Sequence, residues 1–209
     1  MAEILCTKSY EEPPFDVGEI LRYAGGGQGT AEVSELMERC LSEVRGKLSY
    51  KVCYREFPLS SDGERLDLGF VQTASADLKK NLAGCDRLVL FAATIGIGLD
   101  RLIAKYSRLS PSMALMLQAI GAERIESLCD LFNEEIRAEK AKEGKTLRPR
   151  FSPGYGDLPL ALQKDIFRVL DCPRKIGLTL NESLLMSPTK SVTALIGVSA
   201  EGEKRKQES

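Results

Sequence analysis

The sequence predicts an α+β fold: a mixed, mainly antiparallel, twisted sheet flanked by helices, one of them long. Three observations carry this reading. Val33, Leu36, Met37, Cys40, Leu41 and Val44 recur at helical spacing and form one apolar stripe. Tyr50, Val52 and Tyr54 alternate with Lys51, Cys53 and Arg55, while Leu88 to Ala93 is a continuous apolar run. Strand and helix signals then alternate irregularly over short connections, which favours antiparallel pairs over repeated βαβ units.

Residues 1–15 read as a loose lead-in ending at Pro13-Pro14. A short helix, Asp16 to Tyr23, meets the breaker Gly25-Gly26-Gly27-Gln28-Gly29. Thr30 is placed to cap the helix that carries the apolar stripe. The alternating 50–55 segment is a half-buried strand, and Leu66, Leu68 and Phe70 suggest a second. Ser75 caps a short helix that stops at Gly84. Leu88 to Ala93 is apolar on both alternating faces and so predicts a central strand, followed by a helix from Leu99 to Tyr106. Ser110-Pro111 opens the longest helix, which runs to about Lys142 and closes at Gly144. Its buried face is expected to hold Leu115, Ile120, Ile125, Leu128, Phe132 and Ile136. After Pro149 come an irregular Pro/Gly segment, a helix around Leu160 to Leu170, and strands at 177–183 and 191–198 joined hairpin-fashion through Pro188. The organisation expected is a lead-in (1–29), a single core (30–199) and a charged tail (200–209) that contains Lys204-Arg205-Lys206.

A chain of 209 residues with 43% hydrophobic content is long enough to hold a core without disulfides or a structural metal. Lys and Arg total 29 against 30 Asp and Glu, which excludes the basic footprint of a nucleic-acid binder. No segment reaches the ~18 apolar residues of a membrane span. The N-terminus carries Glu3 and lacks a basic signal region, so a cytoplasmic protein is expected. The cysteines at 6, 40, 53, 85, 129 and 172 show no C-x-x-C spacing and read as reduced thiols. Histidine is absent, which excludes Ser-His-Asp and Cys-His catalysis and any histidine-ligated metal.

Two glycine clusters invite a nucleotide reading. Gly25 to Gly29 follows no apolar strand and so lacks the context of a dinucleotide turn. Gly96-Ile97-Gly98-Leu99-Asp100-Arg101 does follow one and opens a helix. There Arg101 stands at the third glycine position, and Asp100 would repel a phosphate at a helix start. A tight structural turn is the expectation. An unrelated nucleotide-binding enzyme built on Gly96 and Gly98 is the competing reading.

Two ordered blocks carry more information. Arg150-Phe151-Ser152-Pro153-Gly154-Tyr155-Gly156-Asp157-Leu158-Pro159 is similar to an R-x-x-x-G-Y-P segment. Leu178-Thr179-Leu180-Asn181-Glu182-Ser183-Leu184-Leu185-Met186-Ser187-Pro188-Thr189-Lys190-Ser191-Val192 looks like an L-T-E-S-x-x-M-x-P-x-x-S-V-S-G block. In this order and at this separation they resemble the activation domain of cobalamin-dependent methionine synthase. The long helix and the 16–25 segment match the family more loosely. The resemblance implies an S-adenosylmethionine-binding reactivation subunit serving methionine biosynthesis. Cobalamin stranded as cob(II)alamin on a partner methionine synthase chain is reduced by a flavodoxin- or ferredoxin-like electron donor. Methyl transfer from S-adenosylmethionine then traps the reduced cobalt, which is reductive methylation. Without histidine the chain cannot supply an axial imidazole, so cobalamin is expected only on the partner.

The resemblance also assigns residues. Arg150 offers a planar fork to the ligand carboxylate. Phe151 and Ser152 fall at the backbone edge that faces adenine, and Gly154 lets the backbone approach closely. Tyr155 covers the ligand or faces its sulfonium by a cation–π contact, and Glu182 meets the ammonium. No nucleophile is needed, because the acceptor is cobalt. The sequence departs from the family where Gly156 replaces proline, and no tyrosine follows Tyr155 to supply the family's late aromatic contact. A more open site, or one completed by the partner, is the expectation. A docking module that keeps the fold without binding the methyl donor is the second alternative.

Overall fold

The structure is a computed structural model that describes residues 4–25 and 30–200. Gly26 to Gly29 and the Lys204-Arg205-Lys206 cluster lie outside the described residues. Along the chain, β1 (Cys6–Tyr10), α1 (Val17–Tyr23) and α2 (Ala31–Val44) precede β2 (Tyr50–Pro58). Three short strands, β3 (Ser60–Ser61), β4 (Leu66–Asp67) and β5 (Gln72–Thr73), lead to α3 (Ala76–Asn81) and β6 (Cys85–Thr94). Next come α4 (Gly98–Leu109), α5 (Pro111–Ala141) and β7 (Lys145–Leu147). A 3-10 turn at Leu160–Leu162 runs into α6 (Gln163–Leu170), then α7 (Cys172–Ile176), β8 (Thr179–Leu180), β9 (Met186–Ser187) and β10 (Ser191–Ala200).

Caps set several helix starts locally. The side chains of Asp16, Thr30 and Ser75 accept from the backbone N–H groups of Glu19, Val33 and Leu78. Pro111 takes the first turn of α5, where a missing N–H costs nothing. The main sheet has the order β1-β2-β6-β10-β7, and every pairing in it is antiparallel. The apolar run expected to be central is the middle strand. Side-chain alternation splits the core into two layers. Tyr50 and Val52 face α1, α2, α4 and α5, whereas Cys53 and Phe57 face α3, α6 and α7.

Four expectations are corrected. Leu115 is 65% exposed, because Met113, Met116, Leu117 and Ile120 form the face that α5 buries. Leu66 to Phe70 is not one strand: the ladder ends at Asp67, and Gly69 turns the chain at φ 76. Thr179 and Leu180 pair with Ser187 and Met186, not with the 191–198 strand, which instead pairs with β6 and β7. The expected loose lead-in contains β1, the edge strand of the main sheet.

That N-terminal segment is held by charge. Arg124 on α5 is fully buried and donates to the carbonyls of Pro13 (2.5 Å) and Pro14 (2.7 Å). Its guanidinium lies 4.1 Å from the Phe15 ring centroid and pairs with buried Glu123. Glu123 in turn accepts from the Ser127 hydroxyl (2.7 Å) and the Asp16 N–H (3.3 Å). Buried charges survive only with such compensation.

Candidate functional site

Beyond β7 the chain continues alongside β10. The Arg148 N–H donates to the Gly197 carbonyl (2.8 Å), and Phe151 and Leu195 exchange both backbone bonds at 2.9 Å. Extended backbone sends successive side chains to opposite faces. Arg150 turns to α5, and its Nη2 lies 2.9 Å from Asp130 and 3.1 Å from Glu126. These carboxylates stand four residues apart on one helix face. Arg150 Nη1 is buried and has no hydrogen-bond partner among the described residues. Phe151 turns the other way into the second layer, where Tyr155 meets its ring edge-on at 5.4 Å. Tyr155 is 70% exposed.

The loop between them is tightly wound. Gly154 (φ 88) donates to the Leu158 carbonyl, and Tyr155 donates to that of Ser152. Gly156 adopts φ 55, which proline, locked near −65°, cannot reach. A Cβ there would also meet the Asp77 carboxylate at 2.2 Å. Proline therefore cannot occupy position 156 in the loop as it is wound in this chain. Asp157 accepts from the Ser75 hydroxyl and from the N–H groups of Ala76 (2.7 Å) and Asp77 (3.2 Å), which fastens the loop to the start of α3. The Ser75 hydrogen bond, aided by those N–H groups, holds the Asp157 carboxyl below its ordinary range.

The second sequence block divides in two. Glu182 sits in the β8–β9 connection, exposed and without an ion pair among the described residues. That connection is set by Asn181, which accepts from the Leu185 N–H through its side chain, and by Leu184 at φ 64. Pro188 to Ser191 packs elsewhere. Thr189 donates its N–H to Asp100 (3.1 Å), and the Ser191 hydroxyl donates to the Pro188 carbonyl (2.8 Å) and lies in hydrogen-bond contact with the Thr94 hydroxyl (2.9 Å). Lys190 lies across Gly121 of α5, where an added Cβ would be 2.9 Å from Lys190 Cε. Burial lowers the Lys190 pKa, and nearby Asp100 opposes that shift.

The structure thus gathers Arg150, Phe151, Ser152, Gly154 and Tyr155 on one loop, with Arg150 on the α5 side of the sheet edge and the Phe151–Tyr155 pair on the other. Phe151 has both backbone groups committed to Leu195. Glu182 belongs to a separate hairpin. Sequence reasoning missed Glu126, Asp130 and Lys190. The only available signal was the four-residue spacing of the two acids on the long helix. The Gly96 and Gly98 turn is filled by protein: a Cβ on Gly98 would lie 2.1 Å from the Lys47 carbonyl oxygen, and one on Gly96 would lie 3.1 Å from Ser49 Cβ. No helix of the described residues is long and apolar enough to cross a membrane.

Comparison with curated proteins gives no match. Among solved structures, the MetH reactivation domain bound to AdoHcy is similar, with a TM-score of 0.66 at 16% identity over 96% of this chain and 80% of that chain. At that identity the likeness establishes the α+β fold. Residues 70–204 match the family described as vitamin B12 dependent methionine synthase, activation domain, a span that includes β6, α5, the Arg150 loop and β10. On that match, the chain belongs to the activation domain family of vitamin B12 dependent methionine synthase.

Proposed function

We propose that this chain binds S-adenosylmethionine at the Arg150 loop and serves in the cytoplasm as the reactivation subunit of a methionine synthase whose cobalamin sits on another polypeptide. The observation that carries this reading is Arg150 itself. It lies within the family match, at a sheet edge beside α5, and one of its guanidinium nitrogens has no partner among the described residues. A buried donor left unpaired favours any ligand that satisfies it. The AdoHcy of the related structure is the demethylated counterpart of the proposed ligand.

The residues fit an amino-acid zwitterion. Arg150 takes the carboxylate, with charge-assisted bonds from a planar fork. Glu126 and Asp130 already touch Arg150 and are the carboxylates we assign to the ammonium, ahead of Glu182, which sits on a different hairpin. Alternating charges of this kind are electrostatically complementary to a zwitterion. Ser152 and Gly154 present backbone to adenine, and the Tyr155 ring, exposed but edge-on to Phe151, covers the sulfonium by leaving that contact. Bound S-adenosylmethionine supplies the methyl group, and this chain binds and orients it toward the partner.

Calorimetric titration of the purified chain with S-adenosylmethionine tests the reading directly. Stoichiometric binding, together with restored turnover of an oxidised methionine synthase that lacks its own activation domain, is expected. Docking to that synthase without binding the methyl donor would replace it with the non-catalytic docking reading.

A further inference from the structure

A cleft of about 320 Å³ opens at the end of the β1–β2 ladder. Tyr10 and Tyr50 are the last register pair of that ladder, and Ser9 and Lys51 are the pair before it. Successive pairs send their side chains to opposite faces of the sheet, so a cleft at the strand end is lined from both. Tyr50 is buried there, and Tyr10 and Leu48 are half-buried. The Tyr10 hydroxyl is committed to Glu135 (2.5 Å), which leaves its ring as apolar surface. Gly46 also lines the cleft, and a Cβ added to it would meet nothing within 4 Å. Two opposite charges line the same space without neutralising each other. Glu12 accepts one long hydrogen bond, from the Tyr50 hydroxyl (3.4 Å). Among the described residues neither Glu12 nor Lys51 has an ion-pair partner, although Lys8, Lys47 and Lys140 all meet carboxylates. Both charges stand on fixed backbone. Lys51 lies between Ser9 and Thr94 in the ladder, and Glu12 lies between Tyr10 and Pro13, whose carbonyl is held by Arg124.

We infer that this cleft binds a free α-amino acid with an apolar side chain. Lys51 takes the carboxylate and Glu12 the ammonium, each through a charge-assisted hydrogen bond. Tyr10, Leu48 and Tyr50 pack against the side chain. Burial pushes the Tyr50 phenol above its ordinary pKa, so its hydroxyl stays protonated and keeps its bond to Glu12. The chemistry of the lining selects this class. A phosphate would gain one cation and be repelled by Glu12, and a neutral sugar would leave both charges unanswered. A volume of about 320 Å³ lies at the low end of small-molecule sites, which suits an amino acid better than a nucleotide or a corrinoid. Charges already fixed in place spare the ligand part of the ordering cost of binding. The site is separate from the Arg150 loop. The order β1-β2-β6-β10 and the bridge from Leu195 to Phe151 put four strand spacings, roughly 19 Å, between them. The inference therefore stands apart from the proposed function.

The test is calorimetric titration of the full chain with L-leucine, L-methionine and L-phenylalanine. Two analogues of leucine accompany them: 4-methyl-2-oxopentanoate, which lacks the ammonium, and 3-methylbutylamine, which lacks the carboxylate. Saturable binding of at least one amino acid is expected, with both analogues weaker by about tenfold or more, the loss of one charge-assisted contact. Lys51→Gln and Glu12→Gln should each weaken the amino acid by about tenfold and leave S-adenosylmethionine binding intact. Glu12 is exposed, and glutamine still accepts from Tyr50, so that variant decides the matter should Lys51→Gln fail to fold. Arg150→Ala is expected to bind the amino acid as wild type does. No binding of any of the three amino acids up to roughly 10 mM, analogues that bind as well as leucine, or an unchanged affinity in Glu12→Gln would overturn the inference. Binding lost in Arg150→Ala and kept in Glu12→Gln would also overturn it, by moving the amino acid to the Arg150 loop. If the amino acid binds as expected and S-adenosylmethionine does not, the proposed function fails and this site stands.

Discussion

Arg150 and Asp130 meet at 2.9 Å across the gap between the edge of the sheet and α5. The pair joins the loop that carries the family motif to the longest helix. Asp130 is 69% exposed and Glu126 45%, so these ion pairs are weak fasteners, worth ~0–1 kcal/mol each. Arg150→Ala should therefore leave the melting temperature nearly unchanged. It should weaken S-adenosylmethionine binding by roughly 10- to 100-fold, the loss of one or two charge-assisted bonds. Arg150→Lys keeps the charge and loses the fork, and should recover only part. Titrations on all three proteins, with melting curves, decide this; equal affinity in the alanine variant removes Arg150 from the ligand site.

Two groups of carboxylates compete for the ligand's ammonium. If Glu126 and Asp130 take it, Glu126→Gln/Asp130→Asn weakens S-adenosylmethionine binding about tenfold, one charge-assisted contact. Glu182→Gln should then change it by less than about twofold, within the range of a distant surface charge. The reverse ranking would return the ammonium to the β8–β9 hairpin.

Gly98→Ala tests whether the Gly96 and Gly98 turn is packing or a phosphate cradle. The added methyl would meet the Lys47 carbonyl oxygen at 2.1 Å, and backbone cannot withdraw as a flexible side chain can. Overpacking of this kind costs ~1–3 kcal/mol, or roughly 2–4 °C of melting temperature per kcal/mol for a domain this size. A drop of several degrees is the expected result. No change in melting, coupled with loss of ATP or nicotinamide binding, would favour the nucleotide reading.

Glu135 gives β1 a pH dependence. Its carboxylate accepts from Lys8 (2.7 Å) and from the Tyr10 hydroxyl (2.5 Å), and these bonds, Lys8 first, hold its pKa below the ordinary value. A depressed carboxyl contributes stability that is complete above its unfolded pKa of ~4.3 and is lost as pH falls through the lower folded value. Amide exchange in Cys6–Tyr10 should be slow at neutral pH and quicken relative to the central strands under acid. Glu135→Gln should already show the faster exchange at pH 7 and lose most of the pH dependence. A wild-type β1 that is equally protected at both pH values would contradict this.

What was legible in the sequence was local. Thr30 and Ser75 announce their helices because a cap needs only the next three residues, and Pro111 and Gly144 bracket α5 for the same reason. The Arg150 loop was legible because its glycines and proline constrain a contiguous path. β1 was not, because its strand state depends on Lys8 and Tyr10 finding Glu135 more than a hundred residues away. The partner of β10 was misjudged for a related reason. The nearer strand, β8, is closed by its own tight hairpin through Asn181, which leaves β10 to pair with β6 about a hundred residues earlier. The acids that meet Arg150 lie on α5, outside both sequence blocks, and only tertiary packing brings them together.

The place of β10 bears on how the protein is made. Residues 191–200 are the last strand translated of the described chain, yet they lie inside the sheet between β6 and β7. Until they emerge from the ribosome, one edge of β6 is bare, β7 has no neighbour, and the Arg150 segment lacks Leu195 to lean on. An open apolar edge of this kind recruits other chains, and late long-range pairing lengthens the time it stays open. Products cut short before residue 191 should therefore be insoluble and quickly degraded, so that a released chain competent to hold a ligand is also one whose synthesis has passed that strand.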